Sequence, residues 1–304
     1  MIGELLSGSA PPVEFFNPIS FLLLASLYGS GAIVARELKI RWKKDYRALL
    51  LLGAAYGILE EGLMVKSFFD PEWMDLGILG TFGRWMGVNW VWTEMLTIYH
   101  MVFSITIPIV LVELAYPERK TESWIGNRAL KGFMALLAFV TAIGFFLLTP
   151  YQPPPLQYLA AASVMGLFIY TAYKLPPTKE TADAKKTGTP RRFWLAGLAG
   201  STAFFLLMYV GPHVLGHPLI VMVLGLLLVF GLLRFAKRFS WEGSESSLNR
   251  LALVAGALSF MIFLAFMQEF DASRPDNPRG MLLVSVVAIL GLLLLKRKLK
   301  TKLA

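Results

Sequence analysis

Nine apolar segments of 15 to 24 residues constrain the fold of this chain more than any other feature of its sequence. At a rise of about 1.5 Å per residue, about 20 residues of helix cross a hydrocarbon core of about 30 Å. Only 16% of the 304 residues are charged, against about 25% in soluble domains. The sequence therefore predicts an all-α, polytopic protein of the cell membrane with about nine transmembrane helices. The predicted segments are 16–34, 49–68, 90–113, 130–148, 156–173, 193–209, 219–233, 251–267 and 281–295.

Lysine and arginine are distributed unevenly among the connections between these segments. Of the 29 basic residues, 25 lie in alternate connections, at 36–47, 119–131, 174–192, 234–250 and 296–302. Cytoplasmic loops carry such an excess, so the pattern predicts an amino terminus outside and a carboxyl terminus in the cytoplasm. Orientation and attraction to anionic headgroups then explain the net charge of +9, so we expect membrane lipids rather than nucleic acid as partners.

The whole chain, 1–304, is predicted to form a single integral membrane domain. Segment 174–192, KLPPTKETADAKKTGTPRR, is too short and too polar to build a core and is expected to be a cytoplasmic linker. It separates helices 1 to 5, in 1–173, from helices 6 to 9, in 193–304. Helices 4, 5, 7 and 9 carry no ionisable residue inside, so we expect them to face lipid or to serve packing.

Residue types that are rare in the chain restrict its chemistry. There is no cysteine, which excludes disulfides, thiolate metal sites and a cysteine nucleophile. With only three glutamines and five asparagines, this composition favours a heat-adapted source.

Two adjacent carboxylates, Glu60 and Glu61, interrupt the second predicted helix about 15 Å from its outer boundary. The third predicted helix carries His100 about 16 Å from the same boundary, so the three side chains reach one level. A charged side chain at that depth costs at least about 2.5 to 3.5 kcal/mol and needs a partner or a wet cavity. Because a short connection makes the two helices neighbours, we expect one shared polar site.

The two helices have faces that fit such a site. In the second helix, Gly53, Gly57 and Glu61 are four residues apart, and glycine lets another helix approach closely. In the third helix, polar residues recur at steps of 4, 4, 3 and 4 on one stripe, which we predict to line the site. This stripe consists of Asn89, Thr93, Thr97, His100 and Ser104.

Two interpretations of the buried charges are open from the sequence. In the first, a protonated Glu60 or Glu61 bonds to His100, Thr97 or Tyr56 and only holds the helices together. In the second, two acids and a histidine activate water, bind a divalent cation or relay protons.

The other two histidines are weaker candidates for metal ligands. His213 and His217 are spaced i and i+4, so with His100 they can in principle supply three imidazoles to one zinc ion. They lie between helices 6 and 7 at the outer end, about half a membrane away from the level of His100. This separation favours a role in the loop.

The stretch EEGLMVK, which begins at Glu60, resembles the first motif of the CAAX-protease and bacteriocin-processing family of intramembrane proteases. In that family two glutamates on a membrane helix precede an arginine, a position that Val65 occupies here. The later histidine motifs of the family would correspond to His100 and His213. The resemblance, which Glu60 and Glu61 carry, implies water activation for peptide cleavage inside the membrane.

Three functions are therefore considered. In a hydrolase, Glu61 or Glu60 would act as general base on water, and His100 would orient the water or bind a divalent metal ion. Its substrate would be a lipid-embedded peptide or a lipid. In a transporter, the same acids would load and release protons or cations along the stripe. In a non-catalytic scaffold, the acids would only lock the helices together.

Overall fold

The computed structural model describes residues 2–177, 188–239 and 244–302. Within these ranges the chain forms nine long helices in sequence: α1 (Pro18–Arg41), α2 (46–64), α3 (Trp90–Ala115), α4 (Asn127–Leu148), α5 (Pro155–Lys174), α6 (Pro190–Tyr209), α7 (Pro218–Ala236), α8 (Ser244–Gln268) and α9 (Met281–Thr301). Shorter helices lie before and between them: the amino-terminal helix Ile2–Ser7, then Pro12–Phe15, Gly77–Gly80, Pro117–Arg119 and Gly211–Val214. A small antiparallel hairpin, β1 (Arg84–Trp85) and β2 (Val88–Asn89), precedes α3.

The all-α membrane architecture expected from the apolar segments is confirmed. Helices α1 and α3 to α8 are long and apolar enough to cross a membrane. Helices α2 and α9 occupy the two remaining predicted segments, but α2 carries Glu60 and Glu61 and α9 ends in a basic stretch. Of the predicted linker 174–192, residues 178–187 lie outside the described ranges.

Burial divides the long helices into two groups. Among the membrane-length helices, α4, α5 and α7 are the least buried, which agrees with their lack of interior ionisable residues. The core is built chiefly by α2, α3, α6 and α8, and Ala48, Met95, Met208 and Met261 are among its most buried side chains. The candidate polar residues belong to this core.

The connection between α2 and α3 consists of turns, the short helix Gly77–Gly80 and the hairpin. Its hairpin is tied to the end of α2, because the backbone N–H of Asn89 donates to the carbonyl of Phe68 at 2.9 Å. The Arg84 guanidinium also donates to the carbonyl of Phe69. These bonds fix the start of α3 against the end of α2.

Helices α2 and α3 come into close contact at the glycines of α2. A Cβ atom on Gly57 would lie 3.1 Å from the Cβ of His100 and 3.2 Å from the Cα of Thr97. A Cβ atom on Gly53 would lie 2.9 Å from the carbonyl oxygen of Met101. Because a packed interior has no room for these extra atoms, the missing side chains allow the two backbones to approach.

Candidate functional site

Both helices change from α-helical to π-helical hydrogen bonding where the candidate residues lie. In α2 the π turn covers Ile58–Met64, and in α3 it covers His100–Thr106. A π turn bonds residue i to i+5, so each residue rotates the chain less than in an α-helix. Glu60 and Glu61 are adjacent in sequence, yet the smaller rotation lets both face α3. Such turns occur frequently at functional sites.

The two carboxylates hold the His100 imidazole from opposite sides. The Nε2 atom of His100 lies 3.0 Å from Oε1 of Glu61, and its Nδ1 atom lies 3.2 Å from Oε2 of Glu60. Nδ1 also lies 2.9 Å from the Ser104 hydroxyl, one turn further along α3. All of these side chains are buried except Glu61, which is partly exposed.

Further side chains complete the hydrogen bonding of the carboxylates. The Tyr28 hydroxyl, from a π turn in α1, contacts Oε1 of Glu60 and lies 2.8 Å from Oε1 of Glu4 in the amino-terminal helix. The Ser67 hydroxyl donates to Oε2 of Glu61. The indole N–H of Trp92 donates to the Ser67 oxygen at 3.0 Å.

Sequence reasoning missed Glu4, Tyr28, Ser67 and Trp92. Glu4 and Tyr28 lie 56 and 32 residues before Glu60, in segments with no polar periodicity. The available signals were an acid close to the amino terminus and a tyrosine inside the apolar run of α1. Neither feature predicts which side chain Glu4 or Tyr28 contacts in the folded protein.

Three tyrosine rings surround the imidazole. The ring of Tyr28 stacks on His100 with 6.2 Å between centroids, and the rings of Tyr56 and Tyr99 lie at 6.1 and 5.4 Å. Among the described residues, the buried hydroxyls of Tyr56 and Tyr99 and Oε2 of Glu60 have no hydrogen-bond partner of ordinary geometry. Buried polar atoms are nearly always paired, so these atoms around one imidazole are candidates to bind water or an ion.

The other residues of the predicted stripe have more local contacts. Asn89 caps the start of α3, because its Oδ1 atom accepts from the backbone N–H of Trp92 at 2.9 Å. The Thr93 hydroxyl donates to the carbonyl of Asn89 at 2.7 Å, and Thr97 is half-buried beside Gly57. Of the stripe, His100 and Ser104 are therefore the two side chains that bond within the cluster.

Glu94 is separated from the cluster and faces α7. A Cβ atom on Gly225 would lie 2.4 Å from Oε1 of Glu94 and 2.7 Å from the methyl group of Met208. The carboxyl group thus fills the space that the glycine leaves in an otherwise apolar helix. This orientation agrees with its position off the polar stripe.

His213 and His217 do not join His100. Both are exposed and lie in the turn between α6 and α7. The Nδ1 atom of His217 accepts from the backbone N–H of Leu219 at 3.3 Å, so this histidine caps the start of α7. Within the described residues, the group whose donor atoms approach one another closely enough for a metal ion is Glu60, Glu61 and His100.

This group has the donors that a divalent transition-metal ion requires. One donor atom each from Glu60, Glu61 and His100 lie within 4.8 Å of one another. Carboxylate oxygen and imidazole nitrogen bind Zn²⁺ at about 2.0 to 2.2 Å, which places neighbouring ligand atoms about 3 to 4 Å apart. Because Glu60 contacts Nδ1 and Glu61 contacts Nε2 of His100, one carboxylate would have to move to the side of the other before all three side chains could bind one ion.

Comparison with known proteins supports the membrane nature of the chain. The model of an uncharacterized membrane protein family matches residues 1–302. Neither a curated protein nor a solved structure matches the chain. Because the match spans nearly the whole sequence, the chain belongs to this uncharacterized membrane protein family.

Proposed function

We propose that this membrane protein is an intramembrane hydrolase in which Glu60, Glu61 and His100 bind one divalent metal ion and activate water. The observation that carries the proposal is the convergence of their three donor atoms within 4.8 Å, on two neighbouring helices of the core. The rings of Tyr56 and Tyr99 next to the same imidazole support it, because their buried hydroxyls make no hydrogen bond of ordinary geometry among the described residues.

Each side chain has a role in the proposed reaction. Glu61 is partly exposed, and its carboxylate oxygen that is not bound to the ion takes a proton from water, so that the hydroxide attacks the carbonyl carbon of a lipid-embedded peptide or lipid ester. The same proton then passes from Glu61 to the leaving amine or alkoxide. His100 is oriented by Ser104, and Glu60 is held by Tyr28. A bound divalent ion supplies Lewis acidity and a lower pKa for the attacking water.

The resemblance of EEGLMVK to intramembrane proteases supports the same reaction class. That motif supplies Glu60 and Glu61, and His100 occupies the place of the family's first histidine. The position of His213 outside the cluster separates this chain from that family, since the protease pattern has a second histidine at its site. Ser104 and the tyrosines surround the imidazole here.

The metal centre can be tested without a known substrate. Purified full-length protein, dialysed against Zn²⁺ or Mn²⁺, should retain one ion per chain, measured by plasma mass spectrometry. Glu60→Gln with Glu61→Gln should remove that ion, whereas the matched change Glu94→Gln should not, because Glu94 faces α7. Wild-type protein that retains no ion, or a double variant that retains it, would contradict the proposal.

A second candidate function is coupled transport of protons or cations. It is favoured by an unbroken series of polar contacts that runs from Glu4 through Tyr28, Glu60 and His100 to Glu61. In proteoliposomes, a transporter would acidify or alkalinise the interior in response to an imposed gradient, and Glu61→Gln would abolish that flux. If Glu61→Gln changes only the melting temperature, the cluster is a scaffold.

We also propose that the chain forms a single domain that crosses the cell membrane nine times. Its amino terminus would lie outside the cell and its carboxyl terminus in the cytoplasm. Two parts, 1–173 and 193–304, would flank a cytoplasmic linker at 174–192. The alternation of basic connections supports this orientation. Because the chain has no cysteine, single cysteines at Ser9 and Thr301 should react with a membrane-impermeant maleimide from opposite sides of the membrane.

A further inference from the structure

We propose that Glu4 of the amino-terminal helix is an additional ligand of the metal centre, so that this helix both completes the centre and closes it. The inference rests on the proposed function, because it assigns a further carboxylate to the same ion. Nothing in the sequence pattern places Glu4 near Glu60, and the connection comes from tertiary contacts alone.

The amino-terminal helix is seated directly against the site. A Cβ atom on Gly3 would lie 3.1 Å from the Tyr99 hydroxyl and 3.3 Å from the Ser104 hydroxyl, so the backbone of this helix touches a partner of His100. Leu6, on the same helix, is buried. The helix is therefore packed at the cluster, and Glu4 meets Glu60 through the Tyr28 hydroxyl, just outside the group Glu60, Glu61 and His100.

Residues far along the chain fasten the end of this helix. The Gln268 amide donates to the carbonyl of Ser7 at 2.7 Å, and the Arg274 guanidinium donates to the carbonyl of Gly8 at 2.8 Å. Gly8 has a φ of 77°, a conformation that favours glycine. The position of the amino-terminal helix is thus fixed by Gly8 at its own end, by Gln268 at the end of α8 and by Arg274 in the connection between α8 and α9.

The Tyr28 hydroxyl lies between the carboxylates of Glu4 and Glu60, whose combined negative charge a proton or a metal ion would compensate. The two carboxylates contact the same phenol oxygen, so about 5 Å or less separates their nearest oxygen atoms. A hydroxyl group has one hydrogen and can satisfy only one of them as a donor. The second carboxylate then faces an oxygen with no hydrogen between, which requires a bridging proton or a metal ion.

The unsatisfied tyrosine hydroxyls give an independent indication of a ligand at the same place. Tyr56 and Tyr99 are each more than nine-tenths buried, and their rings lie within 6.1 Å of the His100 ring centroid. Among the described residues their hydroxyls make no hydrogen bond of ordinary geometry, although the Tyr56 hydroxyl interacts with Glu60 and the Tyr99 hydroxyl with Ser7. An ion that keeps one or two waters would satisfy them, since such waters donate and accept.

The donor set selects the class of ion. With Glu4, the centre offers three carboxylates and one imidazole, and no sulfur ligand, because the chain lacks cysteine. Such oxygen-rich sites with one imidazole suit Mn²⁺, Fe²⁺ or Zn²⁺ rather than a soft ion such as Cu(I).

The test is a titration of purified full-length protein with Mn²⁺. Binding is measured by electron paramagnetic resonance, as the loss of the signal of the free ion. Glu4→Gln keeps the shape of the side chain and should weaken Mn²⁺ binding about 10- to 100-fold. Glu14→Gln removes the same charge from an exposed residue of the same outer segment and should bind like the wild type. Glu4→Asp retains a carboxylate and should restore part of the affinity.

The outcomes separate this inference from the function on which it rests. If the wild type binds no Mn²⁺ or Zn²⁺, the proposed function itself fails. If the wild type binds one ion and Glu4→Gln binds it equally well, the metal centre stands and the role of Glu4 is overturned. Equal losses of affinity in Glu4→Gln and Glu4→Asp, together with lowered melting temperatures, would show that Glu4 only seats the helix and would also overturn the proposal.

Discussion

Replacing Glu113 with glutamine tests whether buried ion pairs hold the basic end of the bundle together. One oxygen of Glu113 in α3 lies 2.7 Å from the Lys39 ammonium of α1, and the other accepts from the Tyr46 hydroxyl of α2 at 2.7 Å. Arg36 approaches the same carboxylate at 3.7 Å. From the sequence we expected Arg36 and Lys39 to act as orientation signals in a connection, but α1 continues to Arg41 and buries both.

The loss in free energy of unfolding follows from the charge that Glu113→Gln leaves unpaired. Glutamine keeps the volume of Glu113 but removes the charge that balances Lys39, which is only 5% exposed. A hydrogen bond to a charged group contributes about 1.5 to 3 kcal/mol, and Glu113 accepts two. Breaking a buried pair by removing one partner costs about 3 to 5 kcal/mol, in agreement with that sum. Arg36 retains Glu37 at 3.0 Å, so its charge remains compensated.

The free energy of unfolding can be measured in mixed micelles of dodecyl maltoside and sodium dodecyl sulfate. Glu122→Gln is the matched control, because Glu122 pairs with Arg119 at 3.4 Å on the exposed surface, where a pair contributes about 1 kcal/mol or less. Glu113→Leu combined with Lys39→Met should cost less than Glu113→Gln alone, since no charge is left unpaired. A loss of less than about 1 kcal/mol in Glu113→Gln would refute the reasoning.

Two further predictions concern close packing and pH. Gly57→Val should lower the melting temperature and abolish metal retention, because its Cβ would lie 3.1 Å from the Cβ of His100. Gly291→Val is the control and should do neither, because no atom lies within 4 Å of a Cβ at that position. The Arg274 side chain donates to Asp276 and holds the pKa of that carboxyl below its ordinary value. Asp276→Asn should therefore cost up to about 1 kcal/mol at neutral pH, and the difference should vanish as pH falls through the folded pKa. Equal stability of Asp276→Asn and the wild type at pH 7 would contradict this.

The number and position of the long helices could be predicted because they depend on local composition. A run of about 20 apolar residues must satisfy its backbone hydrogen bonds internally in a membrane, whatever surrounds it. The lack of interior ionisable residues led us to expect helices 4, 5, 7 and 9 to face lipid or serve packing, and α4, α5 and α7 are the least buried of the membrane-length helices. Counting residues from a boundary also set Glu60 and His100 at one depth, because helical rise is constant.

Which side chains meet at that depth was decided by the tertiary structure. The π turns of α2 and α3 reorient Glu61 and His100, and no local sequence rule specifies where such a turn forms. Glu4 reaches the cluster because the amino-terminal helix packs against α3, α8 and α9, and Tyr28 reaches it from α1. Arg36 was likewise expected in a loop and lies buried against Trp124. The sequence by itself determined which segments are apolar and where along its own helix each charge lies, since both are properties of one segment. The partner of each charge depends on contacts between segments far apart in the chain, and only folding specifies those.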